Sequence, residues 1–205
     1  MQIFVVPLVL LKPMNLYYVF HYMGSMANRD VINLNLTLEE MEELTVKQLK
    51  DGEPVWFGCD SGAWGDRDKG VWDPDSLDFS GLLGGVDFTM SKGDRLEYHD
   101  SFATHAMIFV GVNFDENGRP DRWKIENSWG EAVGNKGYFV CSEKYFREYV
   151  YEVIVRKKHL SPAQLALLEG VMNYVMHVGR SVWRIFSLFT KLHFIWLLRR
   201  SVFPH

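Results

Sequence analysis

His105 and Asn127 are the two residues of this chain whose types and spacing point most directly to shared chemistry. The run His-Ala-Met-Ile-Phe-Val-Gly-Val at 105–112 is almost wholly apolar, and Arg-Trp-Lys-Ile-Glu-Asn at 122–127 alternates strictly. The stretch between them, Asn-Phe-Asp-Glu-Asn-Gly-Arg-Pro, is rich in turn formers. Together they predict an antiparallel hairpin. With the turn centred near Glu116, His105 faces Asn127, Met107 faces Ile125 and Phe109 faces Trp123. All six then share one face, because strand side chains alternate with period two. A one-residue bulge would break that register. Histidine is the side chain that gains and loses a proton near neutral pH. The hairpin by itself is equally compatible with a packed core histidine and a strand-end asparagine in a turn.

The flanking residues narrow this. Asn127 lies in Trp-Lys-Ile-Glu-Asn-Ser-Trp-Gly (123–130), followed by Gly134 and by Gly137-Tyr138, and His105 lies in Thr-His-Ala-Met (104–107). These segments resemble the asparagine and histidine motifs of papain-like cysteine peptidases, in the family's order. Asp-Gly-Glu-Pro-Val-Trp-Phe-Gly-Cys-Asp (51–60), the Lys-Gln-Leu-Lys before it, and Tyr-Val-Tyr-Glu-Val-Ile-Val-Arg-Lys-Lys-His-Leu (149–160) are similar to the bleomycin hydrolase and aminopeptidase C branch of that family. The resemblance runs from about residue 17 to about residue 168 and covers the C-terminal half of the family's fold. It implies that His105 is the catalytic base, that Asn127 orients it, and that Trp129 shields their hydrogen bond from water. In such a site a thiolate is stabilised by a neighbouring imidazolium. The asparagine carbonyl accepts from the other ring N–H, fixing tautomer and ring plane. Gly130 and Gly137 would allow tight backbone turns nearby.

The nucleophile does not accompany them. The family carries it upstream in a Gly-x-Cys-Trp context opening a buried helix, and this sequence has no such segment. Of the two cysteines, Cys59 precedes His105 but sits in Trp-Phe-Gly-Cys-Asp, a strand leaving into a loop, with no helix N-terminus to lower its pKa. By resemblance, Cys59 and Asp60 line the substrate pocket. Cys141 follows both partners in a third strand and reads as a core thiol. The expectation is therefore no nucleophile in this chain, and no metal or cofactor: neither CxxC nor HExxH occurs.

The surrounding elements follow from pattern. Residues 1–36 read as extended, most clearly at 17–22 and 30–36. The apolar first eleven residues lack a basic flank and a cleavage site, which favours a buried strand or an artefact of the chain start over a signal peptide. Thr37 and Glu40 form a capping box opening a helix over about 38–50, with Leu38, Met41 and Leu44 on its apolar stripe and Gly52 and Pro54 ending it. Asn35-Leu36-Thr37 is formally a glycosylation sequon, but the threonine is better explained as the cap. Val-Trp-Phe-Gly-Cys (55–59) is a short buried strand, and residues 60–100 read as a long loop with one short helix.

Composition fits a globular domain: 47% hydrophobic, 23% charged and 15% aromatic residues. A net charge of −4 argues against nucleic acid as a partner. With two cysteines a disulfide framework is not expected, and the family setting is cytoplasmic. All 26 acidic residues lie within 1–170, whereas 171–205 holds five basic residues and no acid. That segment reads as a basic amphipathic helix. Two interpretations stay open, a membrane-surface helix and a stretch of sequence arising from a gene-model or frame error, the second preferred. The expected organisation is an unassigned segment at 1–16, the His/Asn half of a papain-like peptidase at 17–168, and an unrelated tail at 169–205. The expected fold is α+β: an antiparallel half-barrel with one packed helix, lacking the helical cysteine-bearing domain. The resemblance implies a thiol-dependent aminopeptidase acting on peptides and assembling as a homo-hexamer, here carrying base and orienting residue without the thiol and so inactive alone. The alternatives are a non-catalytic peptide-binding module and a membrane-associated fragment acting through the tail.

Overall fold

The computed structural model describes residues 2–7, 15–19 and 31–169, with side chains from Leu34 onward. The expectations for residues 8–14, 20–30 and 170–205, the tail helix among them, lie outside the described residues. The chain divides into two compact units between Gln164 and Leu165, and the candidate site belongs wholly to the first.

The centre of that first unit is a sheet whose strands run β2-β3-β1-β10-β4-β7-β8-β9-β6-β5 across an open array. The strands that position the site are β4 (Val55–Cys59), β7 (His105–Phe114), β8 (Pro120–Glu126), β9 (Tyr138–Ser142) and β10 (Val150–Arg156). Flanking these are β1 (Gln2–Pro7), β2 (Asn15–Val19) and β3 (Val31–Leu36) on one side, β5 (Gly65–Asp66) and β6 (Val71–Trp72) on the other. Most neighbours are antiparallel, as the sequence led us to expect. Two pairs, β1 with β3 and β6 with β9, are parallel. The region expected to be a long loop thus returns two strands to the sheet, and it also holds two short helices, α2 (Phe79–Leu82) and α3 (Lys92–Glu97).

Helix α1 (Leu38–Lys50) starts as its sequence predicts. Thr37 Oγ1 accepts from the Glu40 N–H at 3.2 Å, and the Glu40 carboxylate accepts from the Thr37 N–H at 3.0 Å. These two bonds satisfy donors that a helix start leaves orphaned. The helix buries Met41, Leu44, Thr45 and Gln48 against β1, β4, β7 and β10. A second helix, α4 (Glu143–Tyr149), begins on the Ser142 hydroxyl, which accepts from the Tyr145 N–H. Between helices and sheet lies an aromatic core. Phe57 and Phe109 stack at 3.7 Å, and Trp123 and Phe146 at 4.4 Å. Each ring is almost fully buried. Burying a Phe or Trp side chain is worth roughly 2–3 kcal/mol.

The β7–β8 hairpin forms, with a register that differs from the simple expectation. Phe109 faces Ile125 and Ile108 faces Glu126, then a bulge at Val110 shifts the ladder so that Gly111 faces Lys124 and Val112 faces Trp123. The offset before the bulge is two residues, so the pattern of faces survives: Met107, Phe109, Trp123 and Ile125 all point into the core.

Candidate active site

The strand ends at one edge of this core bring together the residues singled out by the sequence. His105 opens β7 and is held from the other side by β4, where it pairs with Cys59. Asn127 follows the last residue of β8, and its own N–H donates to the Gly137 carbonyl at 3.1 Å, closing the 127–137 loop. Gly130 and Gly137, with φ of +87° and +83°, make the reversals that a side chain would resist.

His105 Nε2 lies 2.9 Å from Asn127 Oδ1. The donor in this contact can be deduced. Asn127 Oδ1 also accepts from the Ser128 backbone N–H at 2.8 Å, which fixes the carboxamide with its oxygen toward the histidine. An oxygen there can only accept, so Nε2 carries the proton and donates. Neutral His105 is thereby held as the Nε2–H tautomer, leaving Nδ1 as the free base. The Asn127 Nδ2 on the far side is buried without a hydrogen-bond partner among the described residues.

Trp129 lies over the imidazole, ring centroids 5.0 Å apart and planes 19° apart. It is itself held: edge-on by Phe139 at 5.8 Å, by Trp72 at 6.0 Å, and under the Arg67 guanidinium at 4.9 Å. Trp72 and Arg67 were not foreseen. They reach the site only because β5 and β6 fold the 60–100 segment back onto β9, a contact without local periodicity to announce it.

The thiols are covered. Cys59 and Cys141 are both fully buried and unpaired. Burial pushes the Cys59 thiol up to about 12, and burial pushes Cys141 well above the ordinary range. Neither offers a thiolate near neutral pH. What Cys59 contributes at the site is backbone: its carbonyl accepts from the Thr104 N–H at 2.9 Å. Asp60 is half-buried and ties the segments flanking His105 together. Its Oδ2 accepts from the Ser101 hydroxyl at 2.7 Å, and that hydroxyl accepts in turn from the Tyr151 hydroxyl at 2.7 Å. The Ser61 N–H donates to Thr104 Oγ1 at 3.1 Å. The result is a cross-braced strand end holding an imidazole, a carboxamide and an indole in mutual contact. No group of three or more His, Cys, Asp or Glu residues among the described residues is arranged to hold a metal.

An oriented imidazole at the end of a strand, covered by an indole and open at Nδ1, on an α+β sheet packed by an N-capped helix, is the architecture of a papain-like peptidase domain. The chain belongs to the Peptidase C1-like family, whose model matches residues 7–177. It is 42% identical over 160 residues to Aminopeptidase C of Lactococcus lactis subsp. cremoris, covering 78% of this chain and 36% of that protein. It is 46% identical over 140 residues to Aminopeptidase G of Lactobacillus delbrueckii subsp. lactis, covering 68% and 32%. The crystal structure of PepW from Lactobacillus rhamnosis superposes with a TM-score of 0.79 at 38% identity, covering 84% of this chain and 39% of that one. The chain thus spans about a third of the length of the curated relatives it matches.

Proposed function

We propose that this chain supplies the base-and-amide half of a thiol-dependent aminopeptidase site, with His105 as general base, Asn127 as its orienting partner and Trp129 as the cover of their hydrogen bond. The observation that carries the reading is the Nε2–H···Oδ1 contact under an indole, which leaves Nδ1 free to take the proton of an incoming thiol. The resulting imidazolium would stabilise the thiolate, and the same proton would return to the leaving amine. Asp60 stands beside this centre as part of the pocket wall. Peptides with a free N-terminus are the substrate class, because aminopeptidases are what the relatives are called.

Neither of this chain's cysteines can serve as nucleophile, since both are sealed in the core. The thiol must come from outside this sequence, and the chain alone is catalytically silent. The test is hydrolysis of an aminoacyl fluorophore under reducing conditions. The full chain alone gives no turnover. Mixed or co-expressed with the cysteine-bearing half of Aminopeptidase C, it gives turnover that His105→Ala abolishes. Turnover by the chain alone that survives His105→Ala, or a reconstituted site indifferent to His105, would overturn the assignment. The two buried thiols also favour a second reading, a module that binds peptide without cleaving it; silence after reconstitution, with peptide binding retained, would select that one.

A further inference from the structure

At the far end of β7 from His105, roughly 20 Å along the strand, the outer face of the sheet carries a groove. Its volume is about 600 Å³, and it spans β7, β8, β9 and β6. Gly111, Lys124, Val140 and Val71 form one row across these four strands. A Cβ added at Gly111 would meet only Lys124 Cβ, at 3.6 Å, so the space above that glycine is open. Three cations, Lys69, Arg122 and Lys124, stand along the groove, and no carboxylate lines it. Lys69 pairs with Asp66 and Arg122 with Asp121, both in exposed contacts of the kind that contribute little in water. Lys124 has no carboxylate partner among the described residues. Its ammonium is instead held over the Tyr138 ring, 4.5 Å from the centroid, which limits where it can swing.

The charges along this face are ordered. Arg122, Lys124 and Glu126 alternate on the exposed side of β8, while Trp123 and Ile125 between them enter the core. Successive members of the series are therefore about 7 Å apart at Cα, and an extended peptide repeats its own side chains at the same interval. We infer that this groove docks an extended segment of a partner protein whose side chains run acid-x-acid-x-base, the two acids meeting Arg122 and Lys124 and the base meeting Glu126. The strands beneath are interior to the sheet, so recognition runs through side chains rather than through an added strand. The open space over Gly111 lets the segment approach the sheet beside Lys124. The chain as a whole is negative, with a net charge of −4, so a general attraction cannot gather acidic peptides; the local order of charges supplies the selectivity. The inference is independent of the peptidase reading, because none of these residues belongs to the His105 site.

The experiment is fluorescence anisotropy with the full chain and three fluorescein-labelled peptide amides of one composition. Asp-Thr-Asp-Thr-Lys and Lys-Thr-Asp-Thr-Asp carry the matching order in the two chain directions, and Asp-Asp-Thr-Thr-Lys breaks it. The expected result is that one of the first two binds at least about threefold more tightly than the third, a preference that fades as salt is raised. Lys124→Glu should weaken that peptide at least about tenfold. Gly111→Val fills the open space without displacing a neighbour and should weaken it too, which keeps the test available if the charge reversal folds poorly. Equal binding of all three peptides would show attraction to negative charge alone and would overturn the inference. Binding indifferent to both variants, or no binding of any probe by the wild-type chain, would overturn it as well, and each of these outcomes leaves the peptidase reading untouched.

Discussion

The deduction that neutral His105 is held as the Nε2–H tautomer can be tested by Asn127→Ala. The substitution removes the neutral hydrogen bond of 2.9 Å to His105, under a half-buried indole, and with it the 2.8 Å bond that Oδ1 accepts from the Ser128 N–H. Such a bond is worth a net of about 0.5–1.5 kcal/mol, so the ratio of the two imidazole tautomers should move by roughly two- to tenfold, with about fivefold for 1 kcal/mol. Global stability should change little, by about 1 kcal/mol or less. The reason is that Asn127 Nδ2 is buried without a partner among the described residues, so the alanine also removes an unsatisfied donor. The assay is two-bond 1H–15N correlation on 15N-histidine-labelled protein at pH 8, above the ordinary imidazole pKa of about 6.5, with the His105 signals identified by their loss in His105→Gln. In the wild type Nδ1 should show the pyridine-like shift and Nε2 the pyrrole-like one. In Asn127→Ala both should move toward averaged values while the melting temperature holds nearly steady. A wild-type spectrum with the proton on Nδ1, or a pattern indifferent to Asn127, would refute the orientation argument.

Three further outcomes are expected. Ellman's reagent should label neither Cys59 nor Cys141 in the native chain at pH 8 and both in denaturant, since burial holds both thiols protonated and covered; rapid native labelling of Cys59 would reopen it as a nucleophile. Glu143, desolvated between α1 and α4 beside Glu42 while accepting from Trp123 Nε1 at 2.7 Å, has its carboxyl pushed up to about 8. The folded state therefore binds that proton more tightly than the unfolded one, so stability is unaffected below about 4.5, falls as pH rises toward 8, and levels above it. Glu143→Gln should be the more heat-stable protein at pH 8.5, by a few degrees for a gain on the order of 1–2 kcal/mol, and equal to wild type at pH 4.5; equal melting profiles across that range would contradict it. Finally, Leu77, Phe79, Leu82, Leu83, Val86, Phe88, Met90 and Phe102 are all exposed. The chain should bind an apolar dye and self-associate as concentration rises, whereas monomeric behaviour with no dye signal would show that this surface is covered in solution.

What the sequence disclosed, and what it hid, divides by range. Helix α1 was legible to its caps because Thr37, Glu40 and Gly52 act within a turn of themselves. The hairpin was legible because a period of two survives any even offset, and the true offset before the bulge is two. The bulge at Val110 was not legible, since nothing in an apolar run says which residue drops out of the ladder. The pairing of His105 with Asn127 was anticipated for a simpler reason than the one that holds: the two do not face each other across the ladder but meet beyond its end, where the Ser128 N–H turns the amide. Trp72 and Arg67 escaped because they are brought to Trp129 by a parallel pairing, β6 with β9, between segments far apart in the chain.

His105 and Asn127 sit at the ends of the two arms of one hairpin, only 22 positions apart. Their geometry is therefore acquired locally. Hairpins close in about 1–10 microseconds, and contacts of short sequence separation cost little loop entropy. The histidine can find its tautomer and its ring plane as this one supersecondary unit docks on β4, before any distant segment arrives. If the proposed function holds, a partner bringing the thiol meets an imidazole already oriented, and assembly is rate-limited by encounter rather than by rearrangement of His105.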